Sequence, residues 1–230
     1  MKQNWVKLAM AGAFLAGSSV AMAEVSGSVT LTSDYIFDGV SQTDNEPALQ
    51  AGVDYAHDSG FYAGAWMSNV DFGGDTNLET DLYVGFTFGS EAVSFDVGAV
   101  AYIYTDSFSS PPSDEEADYY EVYAGVTFAE NFTVKGWFTD DYASAALDAY
   151  RIKATYEVAL NDTWSIPLEY TYTDIDGEDF NHGRIGIAGN FDPFTVDLSY
   201  HQTDIDVEAG DDPDLYSADG LLVASVTFSF

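Results

Sequence analysis

Asp197, Ser199 and His201, in the stretch DLSYHQTD (197–204), are of the residue types that build a nucleophilic relay. In an extended strand their alternate spacing puts all three on one face. Four residues at about 3.4 Å each nevertheless hold the carboxylate and the imidazole more than about 13 Å apart. A triad needs each member within hydrogen-bond reach of the next, so this set does not form one. The chain carries no G-x-S-x-G, no metal-binding pair of histidines and no phosphate-binding loop. No catalytic residue, metal ligand or cofactor is assigned, and the chain is not expected to be an enzyme. Asp174-x-Asp176-Gly177-x-Asp179 places oxygen ligands at alternate positions, as calcium loops do, but the glutamate that completes such a loop at its twelfth position is missing.

The remaining chemistry lies in charge. Six Lys and Arg face 39 Asp and Glu, a formal net charge of -33, which excludes nucleic acid as a partner on electrostatic grounds. With no cysteine there is no disulfide framework, thiol nucleophile or thiolate metal site. Hydrophobic residues make up 47% of the chain and aromatics 16%, too much for disorder.

The N-terminus reads as a secretory signal peptide over 1–23. Lys2 and Lys7 precede the uncharged run LAMAGAFLAGSSVA, and Ala21-Met22-Ala23 forms the cleavage site. The mature chain, 24–230, then retains four of the basic residues and every acid.

The elements that position these charges are strands. From Glu24 onward period-two alternation recurs, and no stretch of ten or more residues has helical periodicity. Glu79–Phe88 sets Leu82, Val84, Phe86 and Phe88 against Asp81, Tyr83, Gly85 and Thr87. Marking each such segment predicts twelve strands: 25–38, 48–57, 61–70, 79–88, 93–105, 118–128, 131–139, 148–159, 163–173, 182–190, 193–203 and 220–230. Each is long enough to cross a bilayer when tilted. Short turns such as 57–60, 89–92 and 129–130 alternate with longer acidic loops such as 39–47, 106–117, 174–181 and 204–219. Apart from 61–70, whose register is ambiguous, no strand carries Asp, Glu, Lys or Arg on its apolar face. Lipid contact explains that exclusion, because a basic residue at the bilayer midplane costs about 2–4 kcal/mol. The expected fold is all-β: an antiparallel transmembrane barrel of twelve strands in the outer membrane of a Gram-negative bacterium, in contact with lipid and lipopolysaccharide. The last strand, with Leu222, Ala224, Val226, Phe228 and Phe230 outward, should pair with the first so that no edge remains.

Val29–Phe72 resembles the opening block of the TorF family of porin-like outer-membrane proteins. The specific parts are SDYIFDGVSQTDNEPALQ and SGFYAGAWMSNVDF, with weaker likenesses in ETDLYVGF (79–86), DYYEVYAG (118–125) and DLSYHQTD (197–204). The resemblance implies a barrel that passes small solutes. It departs at Phe37-Asp38-Gly39, where the family pattern has Phe-Arg-Gly, so an anion preference resting on that arginine does not carry over.

By these registers Asp34, Asp38, Asp54, Asp81, Asp96, Glu121, Lys135, Arg151, Lys153, Glu157, Glu169, Arg184 and Asp197 point inward. Lys135, Arg151, Lys153 and Arg184 come from three late strands and should form a patch facing acids of the early strands, a transverse field that filters solutes by charge. Two readings stay open. One is a pore lined by these groups that passes neutral or cationic small solutes. The other is a lumen filled by charge pairs, Arg151 and Lys153 with Glu169 and Lys135 with Glu121. Inward Tyr83, Tyr102, Tyr104, Tyr119, Tyr123 and Trp137 are either a stacking track or packing, while Tyr35, Phe37, Tyr55, Trp164, Tyr172 and Tyr200 fit interfacial girdles. Assembly into homo-oligomers is compatible with this pattern and not required by it.

Overall fold

The computed structural model describes residues 24–105, 118–205, 217 and 219–230. The expected signal peptide, loop 106–117 and most of loop 204–219 lie outside the described residues.

The strands are β1 (Glu24–Thr32), β2 (Ile36–Phe37), β3 (Val40–Ser41), β4 (Ala48–Ala56), β5 (Phe61–Asn69), β6 (Leu78–Gly89) and β7 (Val93–Thr105). They continue as β8 (Tyr119–Phe128), β9 (Phe132–Thr139), β10 (Ala149–Ala159), β11 (Trp164–Ile175), β12 (Glu178–Phe191), β13 (Phe194–Thr203) and β14 (Leu221–Ser229). All except β2 and β3 form one closed antiparallel barrel in sequence order, so twelve strands make the wall. β14 closes on β1 from Ser28↔Ser229 to Thr32↔Ser225, and Gly27 and Phe230 exchange backbone hydrogen bonds of 2.8 and 3.0 Å at the end of the seam. The terminal phenylalanine thus finishes the ladder that abolishes the edge.

Burial is inverted relative to a water-soluble protein. Glu79, Thr43, Thr139 and Thr171 are among the largest fully buried side chains, whereas Leu82, Val97, Ile152, Leu198 and Leu222 are exposed. The alternation has therefore turned its apolar face outward, which is stable only against lipid. This separates a membrane barrel from a soluble β-sandwich. The ambiguous strand resolves with Phe61, Ala63, Ala65 and Met67 outward and Tyr62, Gly64, Trp66 and Ser68 inward, as the exposure of Phe61 and the burial of Tyr62 and Ser68 require. Inside, Tyr62 lies over Gly85 and Tyr83 over Gly64, cross-strand partners whose missing Cβ atoms make room for the rings.

The first predicted strand is wrong beyond its middle. It leaves the wall after Thr32, and 33–47 turns back as a small hairpin, β2–β3, paired through Ile36↔Ser41 and Phe37↔Val40. Its two-residue turn, Asp38-Gly39, has φ of 47° and 93°, the positive values of a type I′ turn. The expected loop 174–181 is also mostly strand: β11 and β12 run out to a tight Asp176-Gly177 turn, and the Asp174 carboxylate accepts the Gly177 N–H at 3.1 Å. The calcium-like spacing is spent on a hairpin.

Candidate functional site

The barrel interior is graded along its axis. Towards the short turns, inward residues such as Ser28, Thr30, Asp54, Asp96, Thr127, Lys135 and Asp197 are only half-buried. Towards the long loops, Asp34, Asp38, Ser41, Thr43, Glu79, Tyr102, Glu121, Arg151, His182, Arg184 and His201 are buried, although each faces the lumen or occupies it. Residues lining a water-filled pore keep accessible surface, so this upper half is packed. The β2–β3 hairpin and the inward tyrosines of β5, β7 and β8 do the packing.

The hairpin is braced internally before it is latched to the wall. The Asp34 carboxylate accepts hydrogen bonds from Ser41 Oγ (2.7 Å) and Thr43 Oγ1 (3.0 Å). Tyr35 lies edge-on to Trp66 with ring centroids 5.3 Å apart and donates its hydroxyl to Glu79 at 3.2 Å. At the tip, Arg151 Nη1 reaches Asp38 Oδ2 at 2.9 Å and Lys153 Nζ reaches Asp38 Oδ1 at 3.1 Å, one cation to each oxygen. Phe37 and Trp137 lie over the Arg151 guanidinium, each centroid 4.5 Å from Cζ. Burial opposes ionisation of Asp38, but Lys153 and Arg151 outweigh it and hold the carboxyl well below the usual range. Gly39 fits because it lacks a side chain: a Cβ there would lie 2.0 Å from Thr203 Cγ2 and 3.0 Å from His182 Cδ2.

Each predicted cation has a partner among the described residues. Arg151 Nη2 also binds Glu121 at 2.6 Å and the Tyr102 hydroxyl at 2.8 Å. Lys153 bridges Asp38 and Glu169 (3.0 Å), Lys135 pairs with Asp96 (2.8 Å), and Arg184 pairs with Asp197 (2.9 Å). The expected pairing of Lys153 with Glu169 is present. Arg151 takes Asp38 and Glu121 rather than Glu169, and Lys135 takes Asp96 rather than Glu121. The picture of a cationic wall facing an acidic one is therefore corrected to cations neutralised locally by neighbouring strands and the hairpin. Asp81 faces inward beside Glu79, and neither makes an ion pair with a described Lys or Arg; one carboxylate oxygen of each is buried without a hydrogen bond.

The aromatic assignments change similarly. Tyr35 and Phe37 are not girdle residues, because their segment lies inside the barrel. The inward tyrosines pack on one another, with Tyr102 and Tyr119 stacked at 4.5 Å, and form a buried cluster with Tyr62 rather than an exposed track. Glu79 and Tyr62 were not singled out from the sequence. Glu79 shares the parity of Asp81 and was recoverable from it. The Asp38-Gly39 turn between two short apolar pairs was a hairpin signal of the same accessibility.

His201 does not meet Asp197. Its Nε2 lies 3.0 Å from Ser199 Oγ and its Nδ1 3.1 Å from His182 Nε2, while His182 Nδ1 stands 3.7 Å from Glu169. Ser199 is 2% exposed, so this chain braces β12 against β13 beneath the hairpin tip and presents no accessible nucleophile.

A closed antiparallel barrel of twelve strands with a lipid-facing apolar belt and a polar, charge-paired lumen defines an outer-membrane barrel of the porin type. Residues 16–230 match the profile of the family described as "Bacterial protein of unknown function (Gcw_chp)", and the chain belongs to that family. The description this family carries does not confirm the TorF resemblance. No curated protein matches the chain. Among solved structures it is similar to the KdgM porin at a TM-score of 0.58 and 10% identity, covering 89% of this chain and 99% of that one. KdgM in complex with disordered oligogalacturonate gives 0.57 and 7%, covering 91% and 99%. The NanC porin gives 0.50 and 11%, covering 90% and 98%. At these identities the likeness is one of fold.

Proposed function

We propose that this protein, exported with removal of residues 1–23, is an outer-membrane channel for passive diffusion of small polar solutes, and that the β2–β3 hairpin is its latch. The observation that carries the reading is a lumen built of ionisable and hydroxyl side chains into which one short hairpin packs, beside the wall's own inward tyrosines. A structural barrel could fill its interior with apolar side chains and avoid the cost of desolvating buried ions. Even without the hairpin's Asp34 and Asp38, the wall acids Asp54, Glu79, Asp81, Asp96, Glu121, Glu169 and Asp197 outnumber Lys135, Arg151, Lys153 and Arg184 inside the barrel. With the latch open this excess favours neutral or cationic solutes and disfavours polyanions, including the oligogalacturonate bound by KdgM.

The test is single-channel recording of the refolded mature chain in a planar bilayer under a potassium chloride gradient, beside Asp38→Asn. The latch reading expects infrequent openings in the parent, frequent ones in Asp38→Asn, and a reversal potential on the cation side for both. The burial of the hairpin also favours a second reading, a permanently plugged structural barrel. Silence in both proteins, with insertion verified, would establish that alternative.

A further inference from the structure

The seat that receives Asp38 has the composition of a ligand site. Two cations from β10 converge on the two oxygens of one carboxylate, at 2.9 Å from Arg151 and 3.1 Å from Lys153, with the Trp137 ring behind the guanidinium. Arg151 and Lys153 are balanced on the wall side by Glu121 and Glu169. Withdrawing Asp38 would leave the Arg151 Nη1 donor and one face of the Lys153 ammonium turned to the lumen in a largely desolvated place. A guanidinium whose side chain is only 7% exposed is expensive to leave without an acceptor. Water fills such a seat poorly, and a planar anion with two oxygens fills it well, because each oxygen meets one donor.

Outside its tip the hairpin is held to the rest of the barrel by a few separate contacts and by no extended ladder: Tyr35 with Glu79 and Trp66, Phe37 with Tyr102 and Arg151, and the Asp71 N–H donated to the Gln42 carbonyl at 2.8 Å. β2–β3 is a self-braced unit of two paired positions with its own Asp34–Ser41–Thr43 bonds. Breaking those few contacts would let it leave as a body, while the cationic seat stays on the barrel. We propose that Arg151 and Lys153 form a binding site for the carboxylate of a small monocarboxylate solute, and that Asp38 is its tethered stand-in, displaced when the solute arrives. At the seat itself the exchange is one carboxylate for another, which is why a monocarboxylate fits where a polyanion does not. The inference rests on the latch reading above, extending it from a closed hairpin to the chemistry that opens it.

The direct test uses acetate as the probe and reads binding rather than conduction. Saturation-transfer NMR on the acetate methyl group is recorded with the refolded mature parent, Asp38→Ala, and the Asp38→Ala/Lys153→Gln pair, with acetamide as the neutral analogue. Asp38→Asn serves as a second, isosteric variant in case the alanine protein does not show the heat-modifiable migration of a folded barrel. Vacating the seat is expected to tighten acetate binding about tenfold over the parent, and removing Lys153 to abolish most of that gain, with acetamide inert throughout. Equal acetate binding by parent and vacated proteins, or equal binding of acetamide, would overturn the carboxylate site. Because no current is measured, a silent bilayer alongside selective acetate binding would refute the channel and keep the site, and the converse result would do the reverse.

Discussion

Arg151 is the residue at which the wall, the hairpin and the aromatic packing meet. Its two terminal nitrogens serve Asp38, Glu121 and Tyr102, and its flat faces are covered by Phe37 and Trp137. Arginine suits this place because a planar, always-charged fork can hydrogen-bond in its plane while stacking above and below it. Removing the charge takes the cation from buried Glu121 and leaves buried Asp38 with Lys153 alone. Arg151→Gln is therefore expected to lower stability by about 3–5 kcal/mol, measured by urea unfolding in detergent, whereas a loss below about 1 kcal/mol would mean the ion pairs are solvated. Lys135, with 15% of its side chain exposed beside Asp96, lies in the half-buried part of the lumen and should be less sensitive. The sequence revealed that these cations face inward, because parity along a strand is a local property. It did not reveal the partner of any one of them except Lys153 with Glu169, because partners depend on strand order, stagger and the hairpin's return.

At the scale of the element, the hairpin explains why the first predicted strand overran. SDYIFDGV continues the apolar alternation of β1, so periodicity alone extends the strand through Phe37. What breaks it is the Asp38-Gly39 pair, which supports positive φ at both positions and reverses the chain. Gly39 is required twice, by its φ of 93° and by its contact with Thr203 and His182. Gly39→Ala is expected to unseat the tip, adding about 1–2 kcal/mol of backbone strain to a steric clash. In planar bilayers its open probability should rise towards that of Asp38→Asn. A parent-like recording would place the gate elsewhere than the hairpin tip. The acidic turn at Asp176-Gly177 makes the same point: turn chemistry, rather than charge density, decided its structure.

For the whole molecule, stability comes from a lipid-facing belt and a closed seam. Phe86, Phe88, Phe95, Phe128, Phe132, Phe194, Phe228 and Phe230 gather near the short turns, where Phe88 and Phe95 stack at 5.4 Å and Phe194 and Phe228 pack at 5.3 Å. Tyrosines such as Tyr120, Tyr150, Tyr170 and Tyr200 hold outward positions nearer the long loops. Both bands fit interfacial anchoring of an amphipathic or apolar ring. Mid-belt positions carry the depth-dependent cost of charge. Val84→Arg, on β6, should destabilise the barrel by about 2–4 kcal/mol in reversible folding into vesicles. A cost near zero would show that Val84 does not face the hydrocarbon core.

The sequence by itself determined the barrel, its strand number, the direction in which every strand but 61–70 faces and the apolar seam ending at Phe230. These follow from a two-residue period, which any strand displays without knowledge of its neighbours. Only the tertiary structure decided what fills the lumen. Asp38 meets Arg151 across 113 residues of chain, Tyr35 meets Glu79 across 44, and His201 finds His182 rather than Asp197. Those contacts are set by closure of the sheet, which brings distant positions to a common depth, and by a hairpin whose destination is fixed by the complementary charges waiting inside.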